Sequence, residues 1–169
     1  MNYFKVLMDL YRLKKNTKLS EGQMKKLQDQ KLRKMLHFAW EHSAYYRKTF
    51  EQAGITEKDL DALPLSSFPT IEKKPFLENF DEIVTPKDLR QEELRAFDAE
   101  NSVSRKPYKG KYHVVHSSGS TGKPGYFVYD EAAWGDMLLG MIRAALWNMS
   151  MPQIISLLLR KPRIVYIAA

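Results

Sequence analysis

Apolar residues recur at helical spacing through most of the first hundred positions. Tyr3, Phe4, Leu7, Leu10 and Tyr11 fall on one side of a short amphipathic helix over residues 3 to about 15. That helix could pack on its own domain or on a second copy, or lie on a membrane surface with its basic flanks. A polar break follows, and Ser20 with Gln23 forms a capping-box signal. The spacing then predicts a long helix to about His42. Met24, Leu27, Lys31, Met35, Phe38 and His42 share one face, widened by Leu32, Leu36 and Ala39. Ser43 as N-cap and Gly54 as C′ residue bound a third helix, with Tyr45, Tyr46 and Phe50 as expected buried anchors.

Downstream the elements shorten. Thr56 to Asp59 opens a brief helix, stopped at Leu63-Pro64, and Ser66 to Pro69 is expected to be extended because Pro69 biases Phe68 away from the helical region. Thr70 is a candidate cap for another short helix, and Thr85-Pro86 for the next, with proline at the favoured first position. Gln91 to Ala99 reads as helix or loop, and Asn101 to Lys111 as a basic connector. The pattern then changes period. Val114, Val115, Phe127 and Val128 suit a pleated surface on either side of a small, polar loop. Glu131 to about Met149 is the strongest helical stretch, with Asp130 as cap, a stripe of Trp134, Met137, Leu138, Met141, Ala145 and Met149, widened by Leu139, Ile142 and Leu146 so that a heavily buried helix is expected, and an end at Ser150 and Pro152. Arg163 to Ala169 reads as a strand buried on both faces. A chain ending inside such a strand is expected to be truncated.

Composition narrows the picture. The 169 residues are 44% apolar and 12% aromatic, enough for a domain with a real core. There is no cysteine, which removes disulfides and thiolate metal sites and is compatible with a cytoplasmic protein. The N-terminus has no signal-peptide pattern, and no apolar run approaches the ~18 residues of a membrane span. The charge is +7, and much of the excess sits early, at Lys14, Lys15, Lys18, Lys25, Lys26, Lys31, Arg33 and Lys34. These read as a solvated helix face or as a binding patch. His37 and His42 do not share a helical face, and His113 and His116 point to opposite faces of a strand, so no zinc site is expected. His116 abuts the loop, where a ligand contact and a role-free strand end are both open.

The chemistry lies in the loop. Gly119 and Gly122 can reach positive φ and expose backbone N–H groups, which form a concave nest for anions. Ser117, Ser118, Ser120 and Thr121 add hydroxyl donors, and Lys123 adds a mobile positive charge. The set suits a polyphosphate; a plain hairpin needs only about two to five loop residues. The Walker pattern fails at both ends, since Ser117 stands where glycine is required and Pro124 follows Lys123. Ser120 and Lys123 satisfy S-x-x-K, but Gly122, Pro124 and Gly125 argue against the helical turn that an acylating serine needs.

Ser117-Ser118-Gly119-Ser120-Thr121-Gly122-Lys123-Pro124 resembles the phosphate loop of the adenylate-forming enzymes, the acyl-CoA ligases and their relatives. Upstream, the stretch from His37 through Tyr45-Tyr46-Arg47, then Phe50, Ala53-Gly54-Ile55, Leu63-Pro64 and Phe68-Pro69-Thr70-Ile71-Glu72-Lys73, is similar to the start of the phenylacetate–CoA ligase and CapK-like branch. The resemblance covers most of Leu36 to Asp130. It implies an α/β fold with a mainly helical segment over residues 1–110 and the start of a nucleotide-binding core over 111–169. It implies ATP with Mg²⁺, a small carboxylic acid activated as acyl-AMP, and coenzyme A as an acceptor in the family. Ser117 to Thr121 would hold the β- and γ-phosphates, Gly119 and Gly122 would let the backbone approach, and Lys123 would neutralise charge as the catalytic cation. The family's adenine, ribose and metal sites and its mobile C-terminal domain have no counterpart in these residues. The expectation is therefore an N-terminal portion with little activity of its own. The other class left open is a non-enzymatic basic helical module docking on a membrane surface or a polysaccharide-assembly partner; no nucleic-acid motif is present.

Overall fold

The computed structural model describes residues 3–100, 106–117, 123–146 and 148–160. It is mainly helical with one two-stranded antiparallel sheet. The chain divides into two compact units, Glu21–Asp130 and a second made of Met1–Ser20 with Glu131–Ala169.

The larger unit begins with α2 (Glu21–His42) and α3 (Ala44–Gln52). The buried face of α2 is not the expected one. Leu36 is buried and Leu32 and Trp40 pack beside it, whereas Met35 and Phe38 are exposed. The partners decide this. Phe50 of α3 and Ile55, Leu60 and Phe68 of the following loops gather over Leu36, so the helix presents the flank of its apolar stripe rather than its centre. Ser43 caps α3 as expected, accepting from the Tyr46 N–H, and its own hydroxyl donates to the Glu82 carbonyl at 3.1 Å. Gly54 ends the helix at φ 74°, and the Ile55 N–H returns to the Phe50 carbonyl, satisfying a last-turn acceptor.

Arg33 reverses the reading of a solvated cation. Its guanidinium is mostly buried and donates to the Leu60 and Leu63 carbonyls at 2.8 and 2.7 Å, while Asp29 holds it from one turn earlier. Leu60 lies in a 3₁₀ turn, Glu57–Asp61, opened by a Thr56/Asp59 capping box, and Leu63 follows just after it. A second 3₁₀ turn, Leu65–Ser67, replaces the expected extended start at Ser66. The Ser67 N–H reaches back to the Pro64 carbonyl, and Phe68 is extended.

Next come α4 (Lys73–Glu78), α5 (Phe80–Ile83) and α6 (Gln91–Glu100). Glu72, not Thr70, is the α4 N-cap, which leaves Pro75 in the first turn where its missing N–H is harmless. Thr85-Pro86 starts a turn rather than a helix. Leu89 is drawn into the core there, and α6 starts only at Gln91, whose N–H is taken by Asp81 Oδ1 at 2.8 Å. The hairpin of β1 (His113–His116) and β2 (Tyr126–Tyr129) closes the unit, with Val114 opposite Val128 and His116 opposite Tyr126. Tyr126, Val114 and Val128 pack on a core of Phe80, Leu89 and Leu94, joined by Tyr108 and Tyr112.

In the second unit, α1 (Tyr3–Asn16) packs on α7 (Glu131–Ala145). The core joins Leu10, Leu139 and Ile154, so α7 is not heavily buried as expected: among its described residues only Leu139 is buried, with Ile142 alongside, and Met141 is exposed. The expected helix to Met149 stops at Ala145, and a further helix, α8 (Met151–Leu159), follows. Ser150 and Pro152 start α8 rather than ending α7. Gln153 Oε1 accepts both the Ser150 N–H and its hydroxyl, a capping-box half legible as Ser-x-x-Gln. The strand expected over 163–169 lies outside the described residues.

Candidate functional site

The site is built on the loop end of the β1–β2 hairpin. Ser118, Gly119, Ser120, Thr121 and Gly122 lie outside the described residues; Ser117 and Lys123 frame them. Two hydrogen bonds close the base of the loop. The Ser117 N–H donates to the Gly125 carbonyl, and the Gly125 N–H donates to Ser117 Oγ, both at 2.9 Å. Ser117 Oγ thus accepts from the backbone and keeps its own O–H proton for a further acceptor, such as a phosphate oxygen. The sequence marked Ser117 as a phosphate donor; its use as a clasp across the hairpin needed the tertiary register.

Gly125 has a packing reason to be glycine. A β-carbon there would meet Phe76 Cε1 at 3.3 Å, with Leu77 and the Ser117 hydroxyl at 3.8 Å. Phe76 is stacked on Phe127 at 5.7 Å between centroids and meets Phe80 edge-on, so it has little freedom to retreat. Helix α4 is therefore pressed against the second foot of the loop.

That contact brings α4 and α6 beside Lys123. An open groove of ≈ 770 Å³ is lined by Lys73, Lys74, Arg95 and Lys123, with Leu77, Gln91 and Glu78. Four cations face one carboxylate. Glu78 is 4.0 Å from Lys74, and both are well exposed. Gln91 is used at both ends: its Nε2 donates to the Leu77 carbonyl at 3.0 Å, and its Oε1 accepts from Arg95 Nη2 at 3.2 Å. Sequence reading placed only Lys123 in this site. Lys73, Lys74 and Arg95 carried no motif, and only the packing of α4 and α6 beside the hairpin collects them.

On the other side of the loop base, His116 Nδ1 lies 3.0 Å from the Ser117 carbonyl and its Nε2 lies 3.7 Å from Asp98. Asp98 also accepts from the Tyr126 hydroxyl at 3.3 Å. Burial, then the Asp98 charge, pushes the Tyr126 phenol above its ordinary value. Before β1, Lys109 and Gly110 take positive φ in a tight turn bracketed by Tyr108 and Tyr112. Lys111 and the Tyr112 hydroxyl both donate to Asp88 and hold its carboxyl below the usual range; the Tyr108 hydroxyl, then Lys109, do the same for Glu93.

The donors present suit phosphate: an available hydroxyl proton, ammonium groups and a guanidinium. Among the described residues, no three His, Asp or Glu side chains gather into a metal site. Nor, among them, is any helix long and apolar enough to cross a membrane. Of Tyr45-Tyr46-Arg47, Tyr46 packs beside Phe50, and Arg47 donates to the Trp40 carbonyl at 2.9 Å.

The chain is 30% identical over 134 residues to phenylacetate-coenzyme A ligase of Aromatoleum evansii, covering 76% of this chain and 26% of that protein. It thus spans about a quarter of the length of the curated relative it matches. This distant, partial similarity supports a ligase-like origin, at most within the adenylate-forming ligases. No family model and no solved structure matches the chain.

Proposed function

We propose that this chain is the phosphate-loop portion of an ATP-dependent, adenylate-forming ligase of the phenylacetate–CoA ligase and CapK-like branch. In this reading the parent enzyme activates a carboxylic acid as acyl-AMP and can pass the acyl group to coenzyme A. The observation that carries the reading is the clasped hairpin. Ser117 and Gly125 hold the feet of the Ser117–Lys123 motif together, and Lys123 stands where the loop meets a groove rich in cations. When the carboxylate attacks the α-phosphorus, negative charge grows on the departing pyrophosphate. Hydroxyl and backbone N–H donors of the loop, fixed in advance by the clasp, stabilise that charge without reorganising, and Lys123 compensates it. Bound Mg²⁺ would supply further charge compensation. The 169 residues alone are proposed to have little turnover.

The test is ATP–pyrophosphate exchange with a panel of carboxylic acids, using the full-length parent, with Lys123→Ala beside the wild type. Acid-dependent exchange that falls by about two orders of magnitude in the variant, with unchanged unfolding, is expected. Wild-type exchange in the variant would remove Lys123 from the chemistry. No exchange with any acid would count against the ligase reading itself.

A further inference from the structure

Helix α1 carries apolar side chains on two sides, and the core of its unit uses one of them. Leu10 is 4% exposed and joins Leu139 and Ile154, with Val6, Leu7 and Leu13 packed beside them. Phe4, Met8 and Tyr11 follow one another at intervals of four and three residues, so they share a face turned away from Leu10 and Leu13. They are 73%, 50% and 53% exposed. Apolar residues scattered singly over a surface are ordinary, but three in register along one helix make a stripe.

The charges beside the stripe identify what it meets. Lys15 continues the same face one turn beyond Tyr11, and Lys5 and Arg12 run along its edge, all three exposed. Asp9, the one carboxylate in the helix, is mostly buried and pairs with Lys5 at 3.1 Å and Arg12 at 3.0 Å. It therefore anchors the two cations at the rim without interrupting the stripe. Lys14 belongs to the inner side and donates to the Met149 carbonyl. The unit as a whole has the same sign. Met1–Ser20 with Glu131–Ala169 holds nine of the chain's 27 Lys and Arg residues and three of its 20 Asp and Glu, which is +6 of the +7.

An apolar stripe rimmed by cations complements a bilayer with anionic headgroups. Apolar side chains enter below the headgroups, and lysine and arginine heads stay level with the negative charge. A second copy fits poorly. Pairing two such faces would set Lys5, Arg12 and Lys15 of two strongly cationic units against each other. Helix α8 also exposes Ile155 and Leu159, but no charged residue lies within it, so nothing there indicates what those residues meet.

We infer that the outer face of α1 docks on an anionic bilayer surface, with the helix axis in the plane of the interface. Phe4 and Met8 enter the boundary between headgroups and acyl chains, and Tyr11 keeps its hydroxyl in water. Lys5, Arg12 and Lys15 lie over the headgroups. The contact is peripheral and reversible. It rests on α1 alone and not on the reading of the loop.

The experiment is co-sedimentation of the 169-residue chain with vesicles of mixed phosphatidylcholine and phosphatidylserine, and of phosphatidylcholine alone, at low and at raised salt. The variants are Lys5→Gln/Arg12→Gln/Lys15→Gln, the charge-keeping Lys5→Arg/Lys15→Arg, and Met8→Ser/Tyr11→Ser, each checked for folding by circular dichroism. The wild type is expected to bind the anionic vesicles, to bind phosphatidylcholine far less, and to dissociate as salt rises. The triple glutamine variant should lose about 100-fold in partitioning, roughly fivefold for each cation. The serine variant should lose about tenfold or more, and the arginine variant should bind as the wild type does. The chain has no cysteine, so Met8→Cys carrying a polarity-sensitive dye reads insertion directly, and a blue shift on anionic vesicles is expected. No binding of the wild type to anionic vesicles overturns the proposal, as does wild-type binding by the folded glutamine or serine variant. An unshifted dye on vesicle-bound protein overturns the insertion of the stripe. Dimerisation in sedimentation velocity that Met8→Ser/Tyr11→Ser abolishes, without vesicle binding, gives the face to a second copy and overturns the lipid assignment.

Discussion

Ser117→Ala tests whether the loop is held by its feet. The substitution removes Oγ, the acceptor of the Gly125 N–H at 2.9 Å, and leaves the reciprocal bond from the Ser117 N–H in place. Gly125 is buried under Phe76, so water reaches its amide poorly. A neutral hydrogen bond is worth about 1 kcal/mol net, and a buried donor left without a partner costs about 1–3 kcal/mol. Because one of the two bonds survives and the hairpin can shift slightly, the expected loss is about 1–2 kcal/mol, confined to this end of the sheet. Hydrogen exchange at the Gly125 amide reads that loss directly: about 5- to 30-fold faster exchange is expected. The amide of Leu94, in the core beneath, should change far less. Ser117→Thr retains the hydroxyl and should restore protection. Unchanged Gly125 exchange in a folded Ser117→Ala protein would refute the clasp, and with it the argument that the loop is preorganised.

Two further outcomes follow from the same geometry. Arg33→Ala removes two charge-assisted bonds to the Leu60 and Leu63 carbonyls and should lower stability by about 1.5–3 kcal/mol in urea unfolding, whereas Asp29→Ala, at an exposed position, should stay within about 0.5 kcal/mol. Acid should loosen the turn before β1. Asp88 and Glu93 have folded values below their unfolded ones, so their contribution is fully present above the ordinary carboxylate range of about pH 4 and is lost as pH falls through the lower folded values. Exchange at the Lys111 and Tyr112 amides, followed downward from neutral pH and corrected for intrinsic rates, should show protection falling in that window. Asp88→Asn should flatten the Asp88 part of the profile.

Local features of the chain were legible where one short stretch satisfies its own hydrogen bonds. Ser43 and Gly54 bound α3 as their residue types predict, because caps and left-handed stops are local chemistry. The β-branched and aromatic residues about Val114 and Val128 placed the hairpin. Ser150 and Pro152 are ambiguous by residue type: the same two residues stop one helix or start another, and the Gln153 side chain settles which. Which face of α2 is buried, why Arg33 is not a surface charge, and which cations join Lys123 depend on residues tens of positions away. Periodicity orients an apolar stripe to within a broad arc, but it does not say what will pack on it. That choice, between Leu36 and Met35 or between one lysine and a groove of four cations, belongs to tertiary packing, because burial and charge are summed over whatever the fold brings within reach.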